Sequence, residues 1–160
     1  MKGKILSQKE LVRELELRRQ AGARIVFTNG CFDLLHVGHT RYLQAARDLG
    51  DVLVVGVNTD RSVRSLEKGS ARPIVPDSQR AEVLAALGCV DHVVLFDEPD
   101  PEALIQAVQP DVLVKGGDWK PEHIVGRDIV EGRGGSVLAI PLVPGISTTA
   151  LVQKILSHPS

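Results

Sequence analysis

Apolar residues recur along this chain in two periods, and the two periods alternate. Leu11, Val12 and Leu15 are spaced as one face of a helix, behind a Ser7-x-x-Glu10 capping box and ahead of Gly22. Arg24 to Phe27 then reads as a strand, and Thr28 to Asp33 as a glycine-containing turn. The pattern predicts a helix over 38–49 stopped by Gly50, and a nearly continuous apolar strand over 51–57 of the kind buried on both faces in parallel sheets. Asn58-Thr59-Asp60 offers N-cap chemistry for a further helix. Residues 68–77, with one glycine and two prolines, read as an irregular loop. Helices over 78–87, 101–108, 124–131 and 148–156 alternate with strands over 92–96, 111–114 and 137–142, and Asp100 with Pro101 marks the start of the 101–108 helix. Five strands alternating with helices predict right-handed βαβ units. The expected fold is α/β, a Rossmann-like five-stranded parallel sheet with helices on both faces, forming a single domain over residues 1–160.

Composition narrows the function classes. Of 160 residues, 43% are hydrophobic, enough for a buried core without disulfide or metal staples. Lys and Arg number 19 against 20 Asp and Glu, so no basic surface for nucleic acid is expected. Aromatics at 3% argue against stacking platforms for single strands. Cys31 and Cys89 stand far apart with no CxxC context, which speaks against a disulfide framework or structural zinc. No stretch approaches the ~20 apolar residues of a membrane span, and no apolar leader follows Met1-Lys2, so a cytoplasmic protein is expected.

Open parallel sheets bind ligands beyond the carboxyl ends of their strands. The residues there are Thr28, Asn29, Gly30, Phe32, Asp33, His36 and His39 after the first strand, and Asn58 and Asp60 after the second. Lys115, Gly116, Gly117 and Asp118 follow the fourth, and Pro144 to Thr149 the fifth. His36-Val37-Gly38-His39 is the sharpest signal. Two imidazoles at i and i+3 near a helix N-terminus can hold a polyphosphate, and Gly38 would let it approach the backbone. A zinc site needs a third ligand, and His92 and His123 have no recognisable spacing to supply it. A structural histidine pair is the remaining reading. Cys31 reads as packing rather than as a nucleophile. Alone, Lys115-Gly116-Gly117 would be a turn, Gly145-Ile146-Ser147-Thr148-Thr149 an N-cap, and Lys68, Arg72 and Arg80 a solvated charge cluster. No Walker loop and no G-x-G-x-x-G fingerprint occurs.

Taken together these residues resemble a known family. Asn29-Gly30-Cys31-Phe32-Asp33, His36-Val37-Gly38-His39, Val114-Lys115-Gly116-Gly117-Asp118 and Gly145-Ile146-Ser147-Thr148-Thr149 are similar to the HxGH nucleotidyltransferase superfamily. The Val-Lys-Gly-Gly-Asp block with Ser-Thr-Thr points to its heptose 1-phosphate adenylyltransferase branch, often found as the C-terminal half of a bifunctional kinase/adenylyltransferase. The likeness covers roughly residues 7–157. Related glycerol-phosphate cytidylyltransferases carry Arg-Thr before the Gly-Ile-Ser-Thr turn, where this chain has Val143-Pro144.

The resemblance implies transfer of AMP from ATP to D-glycero-D-manno-heptose 1-phosphate by a stand-alone nucleotidyltransferase domain. It implies His36, His39, Lys68 and Arg72 as catalytic residues. Phe27, Thr28, Asn29, Gly30, Phe32, Gly38, Lys115, Gly145, Ser147 and Thr148 join the two histidines around the nucleotide. Asp33, Asn58, Asp60, Arg80 and Asp118 fall to the substrate. Mg2+ is expected with ATP and without protein ligands. The expected partners are ATP and the sugar phosphate, with no nucleic acid or membrane, in a homodimer or higher homo-oligomer. Another transferase of the superfamily, acting on a phosphate ester such as glycerol 3-phosphate, and a non-catalytic nucleotide-binding module are the alternatives.

Overall fold

The computed structural model describes residues 3–66, 72–117 and 119–158. Strands β1 (Ile25–Gly30), β2 (Val52–Asn58), β3 (His92–Phe96), β4 (Val112–Gly116) and β5 (Ser136–Ile140) form one parallel sheet in the order β3-β2-β1-β4-β5. Between and around them lie α1 (Gln8–Gln20), α2 (Val37–Arg47), α3 (Asp60–Ser65), α4 (Asp77–Ala86), α5 (Glu102–Val108), α6 (Arg127–Glu131) and α7 (Thr148–Leu156). This is the α/β, Rossmann-like arrangement that the alternation predicts.

The near-continuous valine runs are buried on both faces because successive side chains point to opposite sides of the sheet. Ile25, Phe27, Val52, Val54 and Leu113 pack with Leu11 and Leu15 of α1, Leu104, Ile105 and Val108 of α5, and Val130 of α6. Val26, Leu53, Val55, Val57, Val112 and Val114 pack on the other face with Tyr42, Leu43 and Ala46 of α2 and Ala81, Leu84 and Ala85 of α4. Each face therefore has its own core.

Two strands run further than the sequence pattern predicts. Thr28, Asn29 and Gly30, expected in a turn, stay in β1 because they pair with Val55, Gly56 and Val57 of β2. Lys115 and Gly116 stay in β4 because they pair with Ala139 and Ile140. Polar residues are thus carried on rigid strand ends. The helix expected over 124–131 is shortened to α6, and a separate 3-10 turn (Pro121–His123) precedes it. Gly126 separates them at φ 87, a left-handed conformation that favours glycine, and a Cβ there would press on Ile105 at 2.5 Å. The order of strands reverses between β1 and β4: the chain leaves β1 to build β2 and β3 on one side, then returns to build β4 and β5 on the other. The diverging loops at that reversal leave a crevice at the carboxyl edge.

Candidate functional site

A cavity of about 320 Å³ opens at this switch point, lined by residues that include Asn29, Phe32, Arg72, Lys115 and Thr148, with His39 from the first turn of α2. The sequence brings them there by simple means. The ladder with β2 and β4 fixes the end of β1. Lys115 at the end of β4 donates from Nζ to Asn29 Oδ1 at 2.9 Å across the reversal. The Tyr42 hydroxyl, bonded to Thr28, donates to the Val114 carbonyl at 3.2 Å and ties α2 to both central strands. Burial pushes the Tyr42 hydroxyl pKa up to about 12, so it stays a neutral donor.

The two histidines sit together at the start of α2. His36 is the N-cap, and its side chain makes no cap hydrogen bond. The rings stack with centroids 3.9 Å apart, and the Phe32 ring meets His39 edge-on at 5.4 Å. Phe32 reaches this position through a backbone φ of 47, with its ring against Gly30, where a Cβ would lie 3.0 Å from it. The Nδ1 atoms of both histidines are buried with no hydrogen-bond partner among the described residues. Burial, then the neighbouring His36, lowers the His39 pKa to about 4, and burial lowers that of His36. Burial thus disfavours the charged form of both rings in the free protein. Across the crevice, Gly145 turns at φ 75 into α7, Ser147 Oγ caps that helix by accepting from Ala150 N at 3.1 Å, and Thr148 is buried against the cavity. Two helix N-termini thus flank one cavity, a setting that favours a polyanion.

The structure gives several predicted residues a different job. Phe27 is fully buried in the core beneath the sheet, and Thr28 is buried in its bond to Tyr42, so neither lines the cavity. A Cβ on Gly38 would lie 2.9 Å from the His36 ring, so the missing side chain makes room for that imidazole. Asp33 is 5% exposed and its carboxylate accepts from Arg72 (3.0 Å), Ile74 N (3.0 Å) and Val75 N (2.9 Å). Asn58 donates to Ser62 Oγ at 2.9 Å. Asp60 accepts from Asp77 N and from Arg80, at 2.9 and 2.8 Å. Arg80 is 1% exposed and donates also to the carbonyls of Val75 and Cys31. Asp60 and Arg80 answer one another away from the cavity lining, whereas Asp33 and Arg72 pair at its wall. Lys68 and Asp118 lie outside the described residues. Among the described residues no group of three or more His, Cys, Asp or Glu is placed to hold a metal ion.

Sequence reasoning passed over Tyr42, Trp119 and Leu142, all of which line the cavity. Tyr42 was findable, because it continues the i, i+3 spacing of His36 and His39 along α2. Trp119 follows the Lys-Gly-Gly-Asp block directly, and Leu142 lies two residues beyond β5; an apolar residue at a loop carries no local mark of a site.

Comparison with known proteins agrees with this geometry. The family described as cytidylyltransferase-like matches residues 27–154. The chain is 55% identical over 155 residues to the bifunctional protein HldE of Syntrophotalea carbinolica, covering 97% of this chain and 31% of that protein. It is 54% identical over 154 residues to the HldE of Citrifermentans bemidjiense, again covering 31% of the relative. The chain therefore spans about a third of the length of the curated relatives it matches. A solved structure of a lipopolysaccharide core biosynthesis protein from Thermoplasma volcanium superposes with a TM-score of 0.62 at 30% identity, over 76% of this chain and 98% of that one.

Proposed function

The chain belongs to the cytidylyltransferase-like family, and we propose that it is an adenylyltransferase that transfers AMP from ATP to D-glycero-D-manno-heptose 1-phosphate, releasing pyrophosphate and ADP-heptose. The observation that carries this reading is a single cavity lined by His39, Lys115 and Thr148, with His36 stacked on His39 at the start of α2 and Ser147 capping α7 beside Thr148. The sugar rests on the resemblance of the Lys-Gly-Gly-Asp and Ser-Thr-Thr blocks and on the likeness to HldE proteins and to a lipopolysaccharide core biosynthesis protein.

An oxygen of the sugar phosphate attacks the α-phosphorus of ATP in line. That bond forms as the bond to the bridging α–β oxygen breaks, and pyrophosphate leaves with the electron pair. The attacking phosphate is already ionised, so the protein supplies placement and charge neutralisation rather than a strong base. His36 and His39 donate to the phosphates and take on positive character as charge gathers there. The N-terminus of α7, with Ser147 and Thr148, holds the β- and γ-phosphates. Lys115, fixed by Asn29, serves the nucleotide. Arg72, held at the cavity wall by Asp33, faces the acceptor phosphate, and Lys68 and Asp118 keep the roles the resemblance gives them. Asp33, Asn58, Asp60 and Arg80 build the wall rather than touch substrate. Mg2+ accompanying ATP would supply further charge neutralisation at the phosphates. Asp33, the carboxylate among the described lining residues, is committed to Arg72 and the 74–75 backbone.

Among the described residues no helix is long and apolar enough to cross a membrane, and ATP chemistry suits a cytoplasmic setting. We place the chain in a homo-oligomer whose interface includes Ile155 and Leu156 of α7, exposed at 68% and 78%. Light scattering at a monomer's mass overturns that assembly. The activity is tested by pyrophosphate release in Mg2+ with ATP or CTP, each paired with heptose 1-phosphate or glycerol 3-phosphate. Release confined to ATP with heptose 1-phosphate is expected. Release with CTP and glycerol 3-phosphate keeps the chemistry and overturns the substrates, and silence in all four pairings favours a binding module.

A further inference from the structure

Lys115 is held along its backbone by a side chain from another element. Val114, just before it, offers its carbonyl to the Tyr42 hydroxyl at 3.2 Å. Gly116, just after it, lies against the Tyr42 ring, where a Cβ would sit 3.3 Å from Cε2. Tyr42 thus brackets Lys115, and the bare glycine makes room for the ring. A phenol has one proton to give, so donating it to Val114 leaves the oxygen to accept from Thr28 Oγ1 at 2.5 Å. Thr28 precedes Asn29, whose side chain accepts from the Lys115 ammonium.

These contacts meet at one point of the sheet. Thr28 and Val114 are the last pair joining β1 to β4. Beyond them Asn29 and Gly30 pair with β2, while Lys115 and Gly116 pair with β5, so the two strands fork. The Tyr42 hydroxyl sits in that fork, bonded to both prongs. Tyr42, Thr28 and Val114 are all buried, which shields the bonds from water. His39 stands three residues before Tyr42 on α2, one turn away on the same face. Both His39 and Lys115 line the cavity. Tyr42 is therefore the direct link between the helix that carries one and the strand that carries the other.

We propose that Tyr42 is a positioning residue, whose hydroxyl in the β1–β4 fork fixes the distance between His39 and Lys115. It acts through those two groups rather than by touching the reacting atoms. The inference rests on the transferase reading above. Where catalysis is mostly placement, a shift of about 1 Å can cost ~10²-fold in rate.

Tyr42→Phe keeps the ring against Gly116 and removes only the hydroxyl. It is expected to lower kcat by about 10–100-fold, with KM for ATP and for the sugar phosphate within a few-fold. It also leaves the buried Thr28 hydroxyl without its partner, so the denaturation midpoint falls. Adding Thr28→Val replaces both hydroxyls by apolar groups of similar shape, a change that can be nearly neutral for stability. The double variant should regain most of the midpoint and none of the lost kcat. Recovery of kcat together with the midpoint overturns the proposal, because the hydroxyl then only stabilises the fold. So does a Tyr42→Phe kcat within twofold of the parent. A raised KM with unchanged kcat overturns it too, by making the hydroxyl a contact to bound substrate.

A second measurement needs no turnover. The Phe32 ring lies against Gly30 of β1 and meets His39 edge-on at 5.4 Å, so it gauges α2 against the sheet. The nuclear Overhauser contact between these rings should weaken in Tyr42→Phe and in the double variant. If the parent releases no pyrophosphate with any substrate pair, the transferase reading falls and this contact decides alone: weakening supports the link through Tyr42, and an unchanged contact overturns it.

Discussion

On the β2 side of β1, Asp33, Asp60, Arg72 and Arg80 form a network in which carboxylates and guanidiniums answer one another and the 74–77 backbone. At the start of α2 and the end of β4, His39, Lys115 and Thr148 line open space, and the Nδ1 atoms of His39 and of His36 stacked on it lack any partner among the described residues. Both groups stand at the carboxyl edge of one sheet, and both hold residues that chemistry would assign to phosphate. The difference lies in hydrogen-bond accounting. A buried charge whose donors are all used holds a wall in place. A polar atom left unpaired at a cavity carries a desolvation cost that a ligand can relieve. Arg72 joins the two regions, since its guanidinium pairs with Asp33 yet lines the cavity.

The sharpest way to separate the regions is to remove one residue from each. Arg80→Ala deletes a buried guanidinium and strands Asp60 and two carbonyls, so it should cost about 3–5 kcal/mol of stability, read as a fall in the denaturation midpoint. His39→Ala should leave that midpoint close to the parent and lower kcat by about 10²–10³-fold, or ~2.7–4 kcal/mol of barrier. The comparison breaks if the two variants exchange phenotypes.

Asp33→Asn probes the joint between the regions. The amide keeps one acceptor but loses the pair with Arg72, so roughly 2 kcal/mol of stability should go. KM for the sugar phosphate should rise more than KM for ATP. An equal rise in both would place Arg72 on the nucleotide instead.

The smallest effect is in protons. His39 has a folded pKa of about 4 against its ordinary 6.5, so between those values the unfolded chain binds more protons than the native one. Its contribution to stability is intact above pH 6.5 and is lost as pH falls toward 4. A bound polyphosphate raises the same pKa, so ATP binding should take up a proton fraction that grows from pH 7.5 to pH 5.5. Calorimetry in two buffers of different ionisation enthalpy reads this uptake, and it should vanish in His39→Ala with His36→Ala. Uptake that persists in the double variant would assign it elsewhere.

The sequence alone determined the elements and the edge where chemistry would gather. Near-continuous valine runs and the Ser7–Glu10 capping box are local signals, and alternation of strands with helices leaves few topologies open. The Ser7 cap, the α7 limits and the histidine pair were legible for that reason. Which polar residues would be spent on one another was decided only by the tertiary structure. Asp33 and Arg72 are 39 residues apart, and so is the choice between ligand and wall, because a side chain's partners are set by strand order and loop path rather than by its neighbours in the chain. The same holds for Trp119 and Leu142. An apolar residue in a loop reads as incidental until the sheet reversal sets it in the cavity lining.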